Sequence, residues 1–225
     1  MSRREEVLCF TDVLCGYCYV GDARFEQLKR DFGERIRIDY HFVSVFGDVA
    51  TRIQKTGKSA ADYGAMVLRA AQAFDHVPVH PEIFAKDTPS SCVPAHLYLR
   101  AVKLIEDEAE SMTADAPSAF ETLMWALREA FFRDARDISA RAVLDDIADA
   151  HGVDTTEVAR VIDSGRAFAA LHHDAQLQRE HAVTVTPTLV FNQGRQRLNG
   201  NVGYRVIEAN ISELLSDRPA AMSWC

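Results

Sequence analysis

Cys15 and Cys18, three residues apart, are the pair of side chains in this sequence best equipped for chemistry. They stand where a β-branched, apolar run from Val7 to Thr11 gives way to helix-forming sequence from Cys15 to Phe32. A sulfur at that junction faces the unpaired N–H groups and the positive end of the helix dipole, both of which favour an anion. Placement of this kind lowers a C-x-x-C thiol from a pKa of about 8.5 into a range of roughly 3.5 to 7.5, and the thiolate is the reactive form. Cys18, one turn further in, is within disulfide reach and can displace whatever is bound to Cys15. Half of a zinc site has the same spacing, but zinc calls for a second Cys/Cys or Cys/His pair nearby. The remaining cysteines, Cys9, Cys92 and Cys225, are single and remote. The spacing therefore favours redox chemistry over zinc, with no bound metal or cofactor expected.

A second signal is Thr186-Pro187-Thr188, set inside an otherwise strong strand pattern from Val183 to Phe191. Proline donates no ladder hydrogen bond, so it belongs at a strand start or edge, or in a cis bond that serves a purpose.

The elements that must position these residues follow from periodicity. Ile36, Ile38, Tyr40 and Phe42 alternate against Arg37, Asp39 and His41, so extended chain is predicted from Ile36 to Phe46. With the run before Cys15 and the helix between, this makes a βαβ unit. From Ser59 to about His181 the pattern is helical and accommodates five or six helices, with Ser139 and Asp154 as N-caps and Gly152 and Gly165 at helix ends. The stripe Phe120, Leu123, Met124, Leu127, Phe131 has the spacing of a buried helix face. Extended character returns from Thr184 to Phe191, turns at Asn192-Gln193-Gly194, comes back through Arg195 to Leu198, and is followed by a helix from Tyr204 to Leu215. The predicted fold is α/β: a thioredoxin-like βαβ…ββα arrangement formed by residues 1–58 and 182–225, with a large all-helical insertion at 59–181.

At 225 residues and 48% hydrophobic, the chain is long and apolar enough to bury a sizeable core. A net charge of -8 gives no basic footprint, which argues against nucleic acid or an anionic membrane as partner. Met1-Ser2-Arg3-Arg4-Glu5-Glu6 lacks the long apolar stretch of a secretory signal, and no run approaches a membrane span. A cytoplasmic location is the expectation, and in a reducing compartment five cysteines point to redox use rather than a structural disulfide framework.

Thr11-Asp12-Val13-Leu14-Cys15-Gly16-Tyr17-Cys18-Tyr19-Val20-Gly21, followed by Arg24-Phe25, resembles the opening of DsbA-family proteins, in particular the cytoplasmic FrnE-like branch. Val185-Thr186-Pro187-Thr188-Leu189-Val190-Phe191 resembles that family's cis-proline strand, and the central helical block its inserted domain. The resemblance implies Cys15 as attacking thiolate, Cys18 as resolving thiol, and Gly16-Tyr17 as the dipeptide that tunes redox poise, where the branch commonly carries Pro-Trp. It implies a cis bond before Pro187, with Thr186 facing the disulfide and offering backbone groups to an extended substrate. The partners implied are thiols or disulfides, protein or small molecule, with glutathione or another low-molecular-weight thiol as co-substrate, handled by a monomer or homodimer. Related folds supply an alternative: a glutathione-dependent isomerase or transferase of the kappa or 2-hydroxychromene-2-carboxylate isomerase type, which needs one sulfur or hydroxyl and not two.

Three further residues are open at this point. Cys92, after Pro89-Ser90-Ser91 at a helix start, is either dipole-activated or, the favoured role, packed in the core. Cys225 is a candidate additional redox thiol. Asp12, three residues ahead of Cys15, is either a proton acceptor or the cap of a turn.

Overall fold

The computed structural model describes residues 5–75, 77–110 and 118–216. Four strands, β1 (Glu5–Thr11), β2 (Ile36–Phe42), β3 (Thr188–Phe191) and β4 (Gln196–Asn199), form one sheet in the order β2-β1-β3-β4. Strand β1 runs parallel to β2, with helix α1 (Gly16–Phe32) as the crossover, and antiparallel to β3, which turns back into antiparallel β4. The central strand is covered on both faces. Val7 and Cys9 enter the main core, while Phe10 joins Val43, Val183 and Val190 on the opposite side. A strand buried on both sides must read as a near-continuous apolar run, which is why Val7 to Phe10 does not alternate.

Between β2 and β3 lie α2 (Val49–Gln54), α3 (Ala60–Ala71), α4 (Val93–Glu110), α5 (Ala119–Phe132), α6 (Arg141–Ala150), α7 (Thr155–Asp163) and α8 (Arg166–Glu180), and α9 (Tyr204–Leu215) follows β4. Six of these helices fall within the predicted helical block, and α2 precedes it. Asp48, Ser59, Ser118 and Asp154 cap α2, α3, α5 and α7 through side-chain bonds to backbone N–H groups. Ser139 is not a cap. Helix α6 starts one residue later, from Ala140, and the Ser139 hydroxyl bonds Asp137 at 2.6 Å instead. Gly152 and Gly165 carry φ of +74° and +82°, the left-handed geometry that ends helices without a Cβ clash.

Two strands are shorter than their apolar patterns. Strand β2 stops at Phe42 because the chain turns, with Gly47 N–H bonded to Ser44 O at 3.2 Å and Phe46 N–H donated to the Asp12 carboxylate at 3.0 Å. Strand β3 begins only at Thr188, since Pro187 has no N–H for the ladder.

The helices are locked to the sheet by packing and by buried ion pairs, the most branched of them centred on Asp174. All five residues of the predicted α5 stripe are buried, and Phe132, at the end of the same helix, stacks on Tyr19 of α1 with centroids 4.6 Å apart. Asp174 of α8 accepts from Phe42 N–H at 3.0 Å, meets His41 Nδ1 at 2.9 Å, and takes Arg100 Nε of α4 at 2.7 Å. The arginine adds a bond of 2.6 Å to Tyr40 O, so one carboxylate ties two helices to the edge of β2. Helix α3 seats closely as well. A Cβ on Gly64 would fall 1.8 Å from the Ile83 carbonyl oxygen, which is why that position has no side chain.

Candidate active site

Strand β1 ends in a turn that is built on Asp12. Its Oδ1 accepts Leu14 N–H at 2.8 Å, Oδ2 accepts Phe46 N–H at 3.0 Å, and its carbonyl accepts Cys15 N–H at 3.1 Å. The turn delivers Cys15 to the N-cap of α1, with φ −83° and ψ 115° and no side-chain cap bond of its own. Its carbonyl starts the helix by accepting Cys18 N–H and Tyr19 N–H at 3.0 and 3.1 Å. Cys18 therefore lies on the first turn, directly inward. Both are free thiols, with Cys15 8% exposed at the surface end and Cys18 1% exposed behind it.

The two sulfurs are electrically distinct. Cys15 is lowered to about 7, chiefly by the hydrogen bond its anion receives from the Cys18 thiol. Burial works against this, Thr186 and the Cys18 N–H assist, and the Asp12 carboxylate opposes it. In the neutral form the Cys15 S–H points to Thr186 O at 3.5 Å. Cys18 is pushed well above the ordinary thiol range by burial and then by its neighbour's sulfur, with Arg128 and Thr11 pulling the other way. The pair thus splits into one ready anion and one retained proton.

A measurable consequence is that iodoacetamide labelling of Cys15, resolved by mass, rises with pH around a midpoint near the thiol's value of about 7. At pH 7 roughly half of Cys15 is thiolate against about 3% for an ordinary thiol of pKa about 8.5, so labelling runs roughly fifteenfold faster. A midpoint above about 8 contradicts the assignment.

Around Cys15 opens a groove of about 750 Å³. Gly16, Tyr17 and Val20 of α1 line one side, Met66, Val67 and Ala70 of α3 the other, and Thr184 to Thr186 and Asn199 to Asn201 close the third. Tyr17 and Val185 stand 55% and 43% exposed at the rim. Among the described lining residues there is no carboxylate and one full cation, Arg52. The Thr186–Pro187 bond is cis. The structure thus brings Cys15, Gly16, Tyr17, Cys18, Thr186 and Pro187 to one place. It leaves Cys92 out: that thiol is 0% exposed, and burial, then the Asp12 charge and its hydrogen bond, push it up. Cys92 is a core residue. Cys225 lies outside the described residues.

Asp12, Cys92 and His96 offer one ligand atom each within 4.8 Å, the one such metal-sized group among the described residues. Two of its members already serve the turn: Asp12 holds two backbone N–H groups and His96 Nε2 accepts Val13 N–H at 3.2 Å. The arrangement is that of a turn anchor. Sequence reasoning did not find the α3 wall, Arg52, or the buried pair Thr11 and Arg128 near Cys18, since nothing local ties positions so far apart.

The family model described as DSBA-like thioredoxin domain matches residues 6–212. The chain belongs to this family. A DSBA-like fold accounts for the sheet order, the inserted helices and the cysteine-bearing start of α1. A ClpXP adapter protein SpxH of Bacillus licheniformis is 25% identical over 225 residues, covering 97% of this chain and 69% of the relative. Among solved structures, the probable DsbA oxidoreductase SCO1869 of Streptomyces coelicolor superposes with a TM-score of 0.72 at 21% identity, covering 96% and 92% of the two chains. The cytosolic disulfide reductase DsbM of Pseudomonas aeruginosa with GSH gives 0.65 at 16%, covering 92% and 99%. A 2-hydroxychromene-2-carboxylate isomerase gives 0.61 at 15%, covering 93% and 95%, so the fold alone spans more than one chemistry.

Proposed function

We propose that this DSBA-like chain is a thiol–disulfide oxidoreductase working through the Cys15–Cys18 couple. The observation that carries the reading is the geometry of the pair: Cys15 at the N-cap of α1, opening on the groove, with the buried Cys18 one turn inward and its thiol favouring the Cys15 anion. The Cys15 thiolate attacks one sulfur of a substrate disulfide. A Cys15–substrate bond forms, the old disulfide breaks, and the departing thiolate takes a proton. Cys18 then attacks Cys15 and closes the internal disulfide, its proton passing to the released sulfur. Run backwards, the same steps oxidise a dithiol.

An extended substrate would lie along Thr184 to Thr186, beside the sulfur. A low-molecular-weight thiol, as in the DsbM structure with GSH, serves as electron partner in this proposal. A glutathione-dependent isomerase has no use for a second sulfur, and Cys18 in direct contact with Cys15 therefore favours exchange. The proposal extends to the FrnE-like branch and a cytoplasmic setting, supported by the motif from Thr11 to Phe25. No described helix is long and apolar enough to cross a membrane.

A redox titration tests it. Equilibration in thiol–disulfide buffers, followed by acid quench and peptide mass mapping, is expected to show one two-electron transition linking Cys15 to Cys18. Absence of that disulfide at every poise refutes the proposal.

A further inference from the structure

The second sulfur of the couple raises a problem that the couple itself does not solve. Cys18 is 1% exposed, yet on the reading above it must act as an anion when it resolves the mixed disulfide, in an interior that opposes charge. The groups beside it are not those that serve Cys15. Thr11, the last residue of β1 and itself 1% exposed, lies beside the Cys18 sulfur and favours its anion. The Thr11 oxygen also accepts Arg128 Nη2 at 2.6 Å. A hydroxyl has one proton to give and two lone pairs to receive. With a lone pair committed to the guanidinium, its proton is left free for the sulfur.

Arg128 reaches this point from α5 and is 1% exposed. Its Nη1 is held by both oxygens of Asp22 of α1, at 2.5 Å to Oδ1. Its Nε is buried with no hydrogen-bond partner among the described residues. A guanidinium is expensive to remove from water, and one serving only as a structural tie would be expected to use every donor. Here one edge faces a carboxylate, another faces the hydroxyl next to the sulfur, and neither Thr11 nor Arg128 lines the groove.

We infer that Thr11 and Arg128, oriented by Asp22, form a charge-assisted donor relay that stabilises the Cys18 sulfur as an anion during the resolving step. In that step the Cys15–Cys18 bond forms, the bond from Cys15 to the substrate sulfur breaks, and the proton lost by Cys18 ends on the released thiol. The relay holds the transient charge; Thr11 touches the reacting sulfur, and Arg128 and Asp22 are positioning residues. Attack by Cys15 is left alone, because its anion is held by Cys18 and Thr186 instead.

Reaction of the reduced protein with 5,5′-dithiobis(2-nitrobenzoate) separates the two steps. The first thionitrobenzoate released reports attack by Cys15 and the second reports resolution, with the Cys15 adduct followed by mass after acid quench. Thr11→Val, which keeps the shape and loses the hydroxyl, is expected to leave the first phase within about twofold. It should slow the second by about tenfold or more and move its pH profile upward, the effect of losing a hydrogen bond to a charged group. Thr11→Ser restores both rate and profile. Resolution in Thr11→Val at the wild-type rate and profile overturns the inference, and so does a Thr11→Ser variant as slow as Thr11→Val, which would assign the effect to packing. Should circular dichroism show Thr11→Val unfolded, Thr11→Ala gives the same reading. A wild-type protein that releases no second equivalent sinks the Cys15–Cys18 couple itself, a result distinct from a second phase that ignores Thr11.

Discussion

Thiol–disulfide exchange is expected to fall by roughly a thousandfold or more in Cys15→Ser, because a serine hydroxyl without an activating base stays protonated at neutral pH. The substitution should leave the fold intact, since serine is a favoured residue at a helix N-cap, the position that Cys15 occupies. Cys18→Ser should behave differently. It keeps the nucleophile and removes the resolving sulfur, so a disulfide substrate accumulates as a stable adduct on Cys15. Insulin reduction and thiol oxidation measured side by side on the wild type and both variants check the pair. Full turnover in Cys15→Ser would end the assignment of the nucleophile, and full turnover in Cys18→Ser with glutathione and a small electrophile would move the protein to the isomerase or transferase class.

The second large effect lies far from the sulfurs. Asp174→Ala is expected to destabilise the protein by about 3–5 kcal/mol, the usual result of removing one partner from a buried ion pair. The alanine would leave Arg100, 7% exposed, without its carboxylate and strand the Phe42 N–H that Asp174 accepts. Urea unfolding of both proteins measures it, and a loss below about 1 kcal/mol contradicts the account. The cluster has a pH signature too. Burial opposes a charge on His41, but Asp174 and Asp39 outweigh it and raise the imidazole above its ordinary value. A group raised in the folded state stabilises fully below its unfolded pKa of about 6.5, and that contribution is lost as pH rises through the folded value. The Asp174→Ala variant should lose part of that dependence.

Much of this molecule is written in local signals. The Cys15–Cys18 spacing, the strand run before it and the helix after it fix the N-cap position of Cys15, because capping and dipole effects act within a turn. Helix α9 spans Tyr204–Leu215, as its periodicity indicates. What stays hidden depends on distant partners. The short β2 follows from Asp12 capturing Phe46 N–H across 34 positions. The shift from Ser139 to Ala140 as cap reflects a competing bond between the Ser139 hydroxyl and Asp137. Arg128 reads as one of four polar residues on α5, beside Glu121, Thr122 and Glu129, and only the fold shows that it lies against Thr11, 117 residues away. The groove wall on α3 is likewise a matter of packing. Met66 and Val67 differ in no way from ordinary helix residues until Gly64 lets that helix settle against Ile83.

The sheet order has a consequence for how the protein is made. Strand β1 finds β2 within a few dozen residues, but its other neighbour pairs through Leu8 and Val190, about 180 residues later. At roughly 5–20 residues per second a ribosome needs about ten seconds or more to supply it. Throughout that wait one edge of the central strand is open to stray pairing, and Cys15 lacks the Thr186 carbonyl that later faces it. In a nascent chain, therefore, that strand edge and the Cys15 sulfur stay open together, until one late segment closes both.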